Sequence, residues 1–171
     1  MNTIERRAVI ELRRKDRSLE GYAAKFNVEA RIADFTEVIR AGAFAESLRA
    51  GRDILALVDH DATRILARTR SQTLKLSEDS AGLQFELSVP DTSAGRDVLA
   101  LAERGDLGGM SFGFVVPGNG EKWAGRTREL INVDLREISV VSAWPAYPNT
   151  VVNPRSKTPL LNIASRYLET V

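Results

Sequence analysis

The stretch GDLGGMSFGFVV spans residues 105–116, and inside it Gly109, Met110, Ser111, Phe112 and Gly113 spell G-x-S-x-G. In α/β-hydrolases that motif holds a nucleophilic serine on a sharp strand-to-helix turn, with the acid and then the histidine later in the chain. Neither condition is met here. The residues after Ser111, FGFVVPG, read as strand ending in a turn, and the single histidine, His60, precedes the motif. A strand over this stretch has period two, which puts Met110, Phe112, Phe114 and Val116 on one face and Gly109, Ser111, Gly113 and Val115 on the other. Glycine is costly inside a strand and belongs where another part of the chain comes close. Ser111 is then either a small residue in a close-packed barrel corner or a nucleophile with space on both sides.

Outward from this strand the pattern stays β-rich. Short apolar runs at Arg7 to Leu12, Leu19 to Phe26, Thr36 to Ile39, Ile54 to Val58, Ile65 to Thr69, Thr73 to Ser77 and Leu83 to Val89 are separated by turn residues. Two helices interrupt them. AGAFAESLRAG (41–51) has Phe44 and Leu48 four apart, and DTSAGRDVLALAERG (91–105) has a Thr92/Ser93 cap, an apolar side of Val98, Leu101 and Ala102, and a Gly105 stop. After Ser111 come a polar hairpin-like segment opened by Pro117, Gly118, Asn119 and Gly120, and one long strand from Glu129 to Ser142. Four prolines, Pro145, Pro148, Pro154 and Pro159, then precede LLNIASRYLETV, an amphipathic helix by its spacing. The expected organisation is a folded domain over residues 1–150 and a proline-containing linker with a docking or self-cleavage helix over 151–171.

The chain has 171 residues, 43% hydrophobic and 27% charged, as expected of one folded domain rather than a disordered segment. Its 24 basic and 23 acidic residues leave a net charge of +1, so nothing favours a phosphate backbone and no nucleic-acid partner is expected. No apolar window is long enough to span a bilayer, and MNTIERRAVIEL lacks the apolar centre of a signal peptide, so no membrane partner is expected. Without cysteine, and with one histidine, a Cys/His zinc site cannot be assembled. No metal or other cofactor is expected.

Two residues bear on the choice at Ser111. His60 ends an apolar run in LALVDHDATRIL, where a partly exposed imidazole could take a proton from a serine. Equally it fits an incidental histidine or a satisfied core donor; the flanking Asp59 and Asp61 could orient it, although neighbours in a strand usually point different ways. Glu137 lies in NVDLREISVVS, on the row Val133, Leu135, Glu137, Ser139 and Val141, where a carboxylate needs a partner such as an imidazolium. Spacing alone also allows that row to be the solvated one.

Taken together, His60 in ILALVDHD, then DTSAGRDVLALAERGDLGGMSFGF, then LREISVVSAWPAYPNTVV resemble the prohead proteases of HK97-type tailed bacteriophages. The resemblance runs from GYAAKFN at Gly21 to about Thr150. It implies a fold similar to the herpesvirus assembly proteases: β-dominated α+β, a closed or partly closed β-barrel of about seven strands with surrounding helices. It also implies a serine endopeptidase with Ser111 as nucleophile, His60 as general base and Glu137 as the acidic third member. Oxyanion donors would come from the backbone at Ala146 or Tyr147, or beside Gly113. The implied partners are the major capsid protein and scaffold, cut inside the immature capsid in the host bacterial cytoplasm, with self-cleavage and a homodimer as further expectations.

Three rival readings remain at this level: a non-enzymatic capsid assembly factor of the same fold, a small-molecule serine esterase, and a plain β-barrel binding module. The first leaves Ser111 without a task. The second calls for a deep apolar pocket in place of an open edge suited to extended peptides.

Overall fold

Alternating apolar residues in runs of four to eight favour strands over helices, and strands dominate. The computed structural model describes residues 5–9, 12–15 and 17–143. In chain order the elements are β1 (Glu5–Val9), β2 (Leu12–Lys15), β3 (Ser18–Lys25), β4 (Glu29–Ile32), β5 (Phe35–Ile39), α1 (Ala45–Arg49), β6 (Leu55–Val58), β7 (Asp61–Arg68), β8 (Leu74–Glu78), β9 (Gly82–Ser88), α2 (Ser93–Arg104), β10 (Gly109–Val115), β11 (Glu121–Ala124), β12 (Thr127–Leu130) and β13 (Asp134–Val141). The proline-containing linker and terminal helix expected over 151–171 lie outside the described residues. No helix among the described residues is long and apolar enough to cross a membrane.

The expected barrel does not form. The strands lie in three separate sheets, β1-β10-β13-β6-β7, β11-β12-β5-β4 and β2-β3-β9-β8, and none closes on itself. Closing the five-stranded sheet would need its edges, β1 and β7, to pair. Instead β3 packs against β1 and β10, while β8 and β9 pack against β7. The apolar faces are covered by a second sheet lying across the first, so burial is achieved without a continuous ladder. Bulges at Tyr22/Ala24, at Gly113/Phe114 and within β6–β7 bend the strands and shift their register. The surrounding helices are only two among the described residues, and α1 is a single short turn.

The long strand expected from Glu129 to Ser142 is also two strands in different sheets. β12 pairs with β5 and β11, β13 pairs with β10 and β6, and the amides of Ile131, Asn132 and Val133 between them bond to Gly120 and Ala43 carbonyls instead. Helix α2 starts and stops where its caps dictate: the Thr92 hydroxyl accepts from the Gly95 amide at 3.2 Å, and Gly105 closes the helix at φ 73°. Its buried face is Gly95, Val98 and Leu99, with Ala102 at the margin, whereas Leu101 stays partly exposed.

The core joins the sheets through aromatic contacts. Phe44, just before α1, meets Phe112 edge-on at 5.6 Å between ring centroids and Phe26 at 6.2 Å, and Phe112 stacks on Phe114 at 5.3 Å. A buried ion cluster ties the β11-β12-β5-β4 sheet to β1: the Arg128 guanidinium bonds to Glu37 at 3.1 Å, to Glu5 at 2.7 Å and to Glu121. Burial opposes its charge, but the hydrogen bonds and charges of Glu5, Glu121 and Glu37 outweigh that and raise its pKa above the ordinary arginine value.

Candidate active site

Central position decides the character of β10. It lies between β1 and β13, antiparallel to both, and every residue in it is buried. Met110, Phe112 and Phe114 enter the hydrophobic core, together with Ile138 and Val140 of β13. Ser111 and Gly113 therefore face the other side, opposite Ser139 and Glu137 respectively. Directly opposed residues of an antiparallel pair share a face, with Cβ atoms about 5 Å apart. Ser111, Ser139 and Glu137 thus form one polar row on the back of the core sheet.

A bulge sets the phase of that row. Gly113 opposes Glu137, but the next residue, Phe114, opposes Leu135, so Arg136 is the extra residue. Simple alternation would have put Leu135 beside Glu137; the bulge sends Leu135 into the core and keeps Glu137 out of it. The row is nevertheless shielded: Ser111 is 2% exposed, Glu137 7% and Ser139 0%.

Gly113 answers the question raised by the motif. A Cβ at this position would overlap Oε1 of Glu137 and lie 3.0 Å from its Cδ, so the missing side chain is what makes room for the carboxylate. Gly109, at φ 134°, takes a backbone conformation that other residues rarely adopt. Gly113→Ala is expected to fold, because the carboxylate can swing aside, yet to lose about 100-fold in kcat, the scale of a 1 Å misplacement at a reacting group. Peptide-cleavage kinetics, with circular dichroism as the folding control, check this; full activity would sink it.

His60 reaches the row through a hairpin. Val58 pairs with Asp61, leaving Asp59 and His60 as a two-residue loop with φ of 53° and 61°. That is the type I′ pattern, which suits the twist of strands but favours Asn and Gly. A histidine held there stores about 1–3 kcal/mol of backbone strain. The turn is pinned to β13, which runs parallel to β6: the Asp59 amide donates to the Val140 carbonyl at 2.9 Å, and the Asp59 carboxylate accepts from the Ser142 amide at 2.7 Å and hydroxyl at 2.8 Å. The His60 amide donates to the Ser139 hydroxyl at 3.2 Å.

The His60 ring, its side chain 15% exposed, has Nδ1 2.6 Å from Oε1 of Glu137. An ionised carboxylate can only accept, so Nδ1 carries the proton and Nε2 of the neutral ring is left as a base. Oε2 of the same carboxylate accepts from the Ser139 hydroxyl at 2.6 Å. Neither flanking aspartate bonds the ring. Asp61 instead accepts from the Thr63 hydroxyl and amide, which hold its carboxyl below the usual range.

The structure thus joins His60 to Glu137 directly, while Ser111 stands across the strand pair from Ser139 and makes no hydrogen bond to His60. Of the expected oxyanion donors, Ala146 and Tyr147 lie outside the described residues. Gly113 is paired within the sheet on both sides, with Arg6 and Glu137. Sequence reasoning gave Ser139 no role, although its place two residues from Glu137 on the same row was the available signal. Among the described residues no group of three His, Asp or Glu side chains is placed to hold a metal ion.

A family model described as caudovirus prohead serine protease matches residues 3–162. No curated protein and no solved structure gives a match.

Proposed function

The chain belongs to the caudovirus prohead serine protease family, and from that premise we propose that it cleaves the scaffold, or the N-terminal scaffolding segment of the major capsid protein, inside the immature capsid in the host cytoplasm, and also cuts itself. Ser111 is the nucleophile, His60 the general base and Glu137 the group that orients the base. The observation that carries the assignment is the 2.6 Å contact between His60 Nδ1 and Glu137, made on the same face of the sheet as Ser111.

Nε2 of His60 accepts the Ser111 proton as Oγ attacks the scissile carbonyl carbon, and Glu137 stabilises the imidazolium that results. His60 then returns the proton to the leaving amine, and an acyl-enzyme remains on Ser111. A water molecule, deprotonated in turn by Nε2, then attacks the acyl carbon; the ester bond to Oγ breaks, His60 returns the proton to Ser111, and the acyl group leaves as the new carboxyl terminus. Ser111 and His60 must come into hydrogen-bond contact for the first step, a closure that enzymes without substrate commonly leave incomplete.

Two measurements test this together. Co-expression with the cognate major capsid protein should yield capsid protein shortened at its N-terminus by intact mass. A fluorophosphonate should add to the protease at Ser111, mapped by peptide mass. Full-length capsid protein in assembled proheads, with the label elsewhere or absent, would overturn the assignment.

A further inference from the structure

Ser139 is fully buried, and both partners of its hydroxyl belong to the candidate site. It donates to Oε2 of Glu137 at 2.6 Å and accepts from the amide of His60 at 3.2 Å. A hydroxyl has one proton to give and two lone pairs with which to accept. Its single donor is therefore committed to the carboxylate that holds the imidazole, and one lone pair to the backbone that carries it. The same residue stands directly across from Ser111.

We propose that Ser139 is a positioning residue for the catalytic group, locking the Glu137 carboxylate and the His60 backbone into one rigid piece referenced to the nucleophile strand. This rests on the assignment of Ser111, His60 and Glu137 above. Three local features make the lock necessary. Gly113 opposite Glu137 leaves the space that the carboxylate fills, and the hydrogen bonds to the carboxylate, that of Ser139 among them, set how it is turned there. His60 sits at φ 61°, a conformation that persists only where its surroundings hold it. The parallel pairing of β6 with β13 ends at Val58 and Val140, so the His60 turn projects beyond the ladder and depends on bonds such as the one to Ser139.

The test uses Ser139→Ala, which removes one oxygen, and Ser139→Thr, which keeps the hydroxyl. Kinetics are read on a peptide spanning the capsid cleavage site. The Ala variant should lose roughly 10- to 100-fold in kcat, the range for one hydrogen bond to a charged group. KM should stay within about twofold, and Thr should recover most of the loss. Because the chain has a single histidine, its side-chain nitrogen signals can be followed by NMR without assignment. Wild type should show one tautomer protonated at Nδ1, Ser139→Ala a mixture of tautomers, and Ser139→Thr the wild-type spectrum. Unchanged kcat in Ser139→Ala overturns the proposal, and so does a loss of kcat with an unchanged His60 spectrum, which would make Ser139 a packing residue only. If Ser111→Ala still cut the peptide, the nucleophile assignment would fail, while the His60 spectra would still decide whether Ser139 holds the His60–Glu137 pair.

Discussion

Ser111→Ala is expected to lower kcat for cleavage of the capsid segment by a factor on the order of a million, the scale seen when a serine nucleophile is removed from a catalytic group that acts as a unit. The side chain leaves one oxygen's worth of space in a row where Ser111 and Ser139 are both buried, so the change removes chemistry without removing core volume. The apolar contacts of β10 come from Met110, Phe112 and Phe114 on the other face, and stability should shift by well under the roughly 2–5 kcal/mol of a large core truncation. Single-turnover cleavage followed by intact mass reads the loss, and thermal unfolding reads the control. Residual activity above about one per cent of wild type would be incompatible with Ser111 as nucleophile.

Glu137→Gln is expected to cost about 10,000-fold in kcat, the scale known when the acid of a serine triad becomes an amide and the histidine takes the wrong tautomer. The geometry here accounts for that outcome. Ser139 donates to one carboxylate oxygen, and an amide that kept this bond would turn its oxygen to Ser139 and its NH2 to His60. Nδ1 would then have to accept, the ring proton would move to Nε2, and the base facing the nucleophile would be lost. Substrate binding has no part in this, so KM should hold. The kcat and KM of the variant, together with the nitrogen spectrum of His60, check it; a loss smaller than about tenfold would remove Glu137 from the mechanism.

The side-chain types of the candidate site stood out in the sequence: a lone histidine, a serine between glycines and a carboxylate in an apolar strand. Their mutual arrangement did not. His60 and Ser139 are 79 residues apart in the chain and meet only because β6 and β13 pair in parallel, a long-range choice that no local pattern encodes. Alternation worked along β10, where Phe112 and Ser111 take opposite faces as their spacing requires. It failed across Arg136, because one extra residue inverts the phase and nothing in LREISVV marks it as extra. The barrel failed for a related reason. Strand content is legible residue by residue, but whether β1 meets β7 or a second sheet is decided by packing between elements far apart in sequence.

The polar row of the candidate site and the aromatic core alternate along the same two strands, with Ser111 between Met110 and Phe112, and Ser139 between Ile138 and Val140. Only the thickness of one backbone separates them. A site carried wholly on loops can fray, breathe and re-form while the rest of a protein stays folded; in this one only the His60 turn can, and the strand-borne part, Ser111, Glu137 and Ser139, has no such partial excursion open to it. Any opening that frees the Ser111 or Ser139 amide must also pull a buried aromatic or branched residue from its contacts, so these amides should exchange with solvent deuterium only through whole-molecule unfolding. The strand-borne part of the candidate site and the fold share one cooperative transition, and heat or denaturant should remove both at the same midpoint.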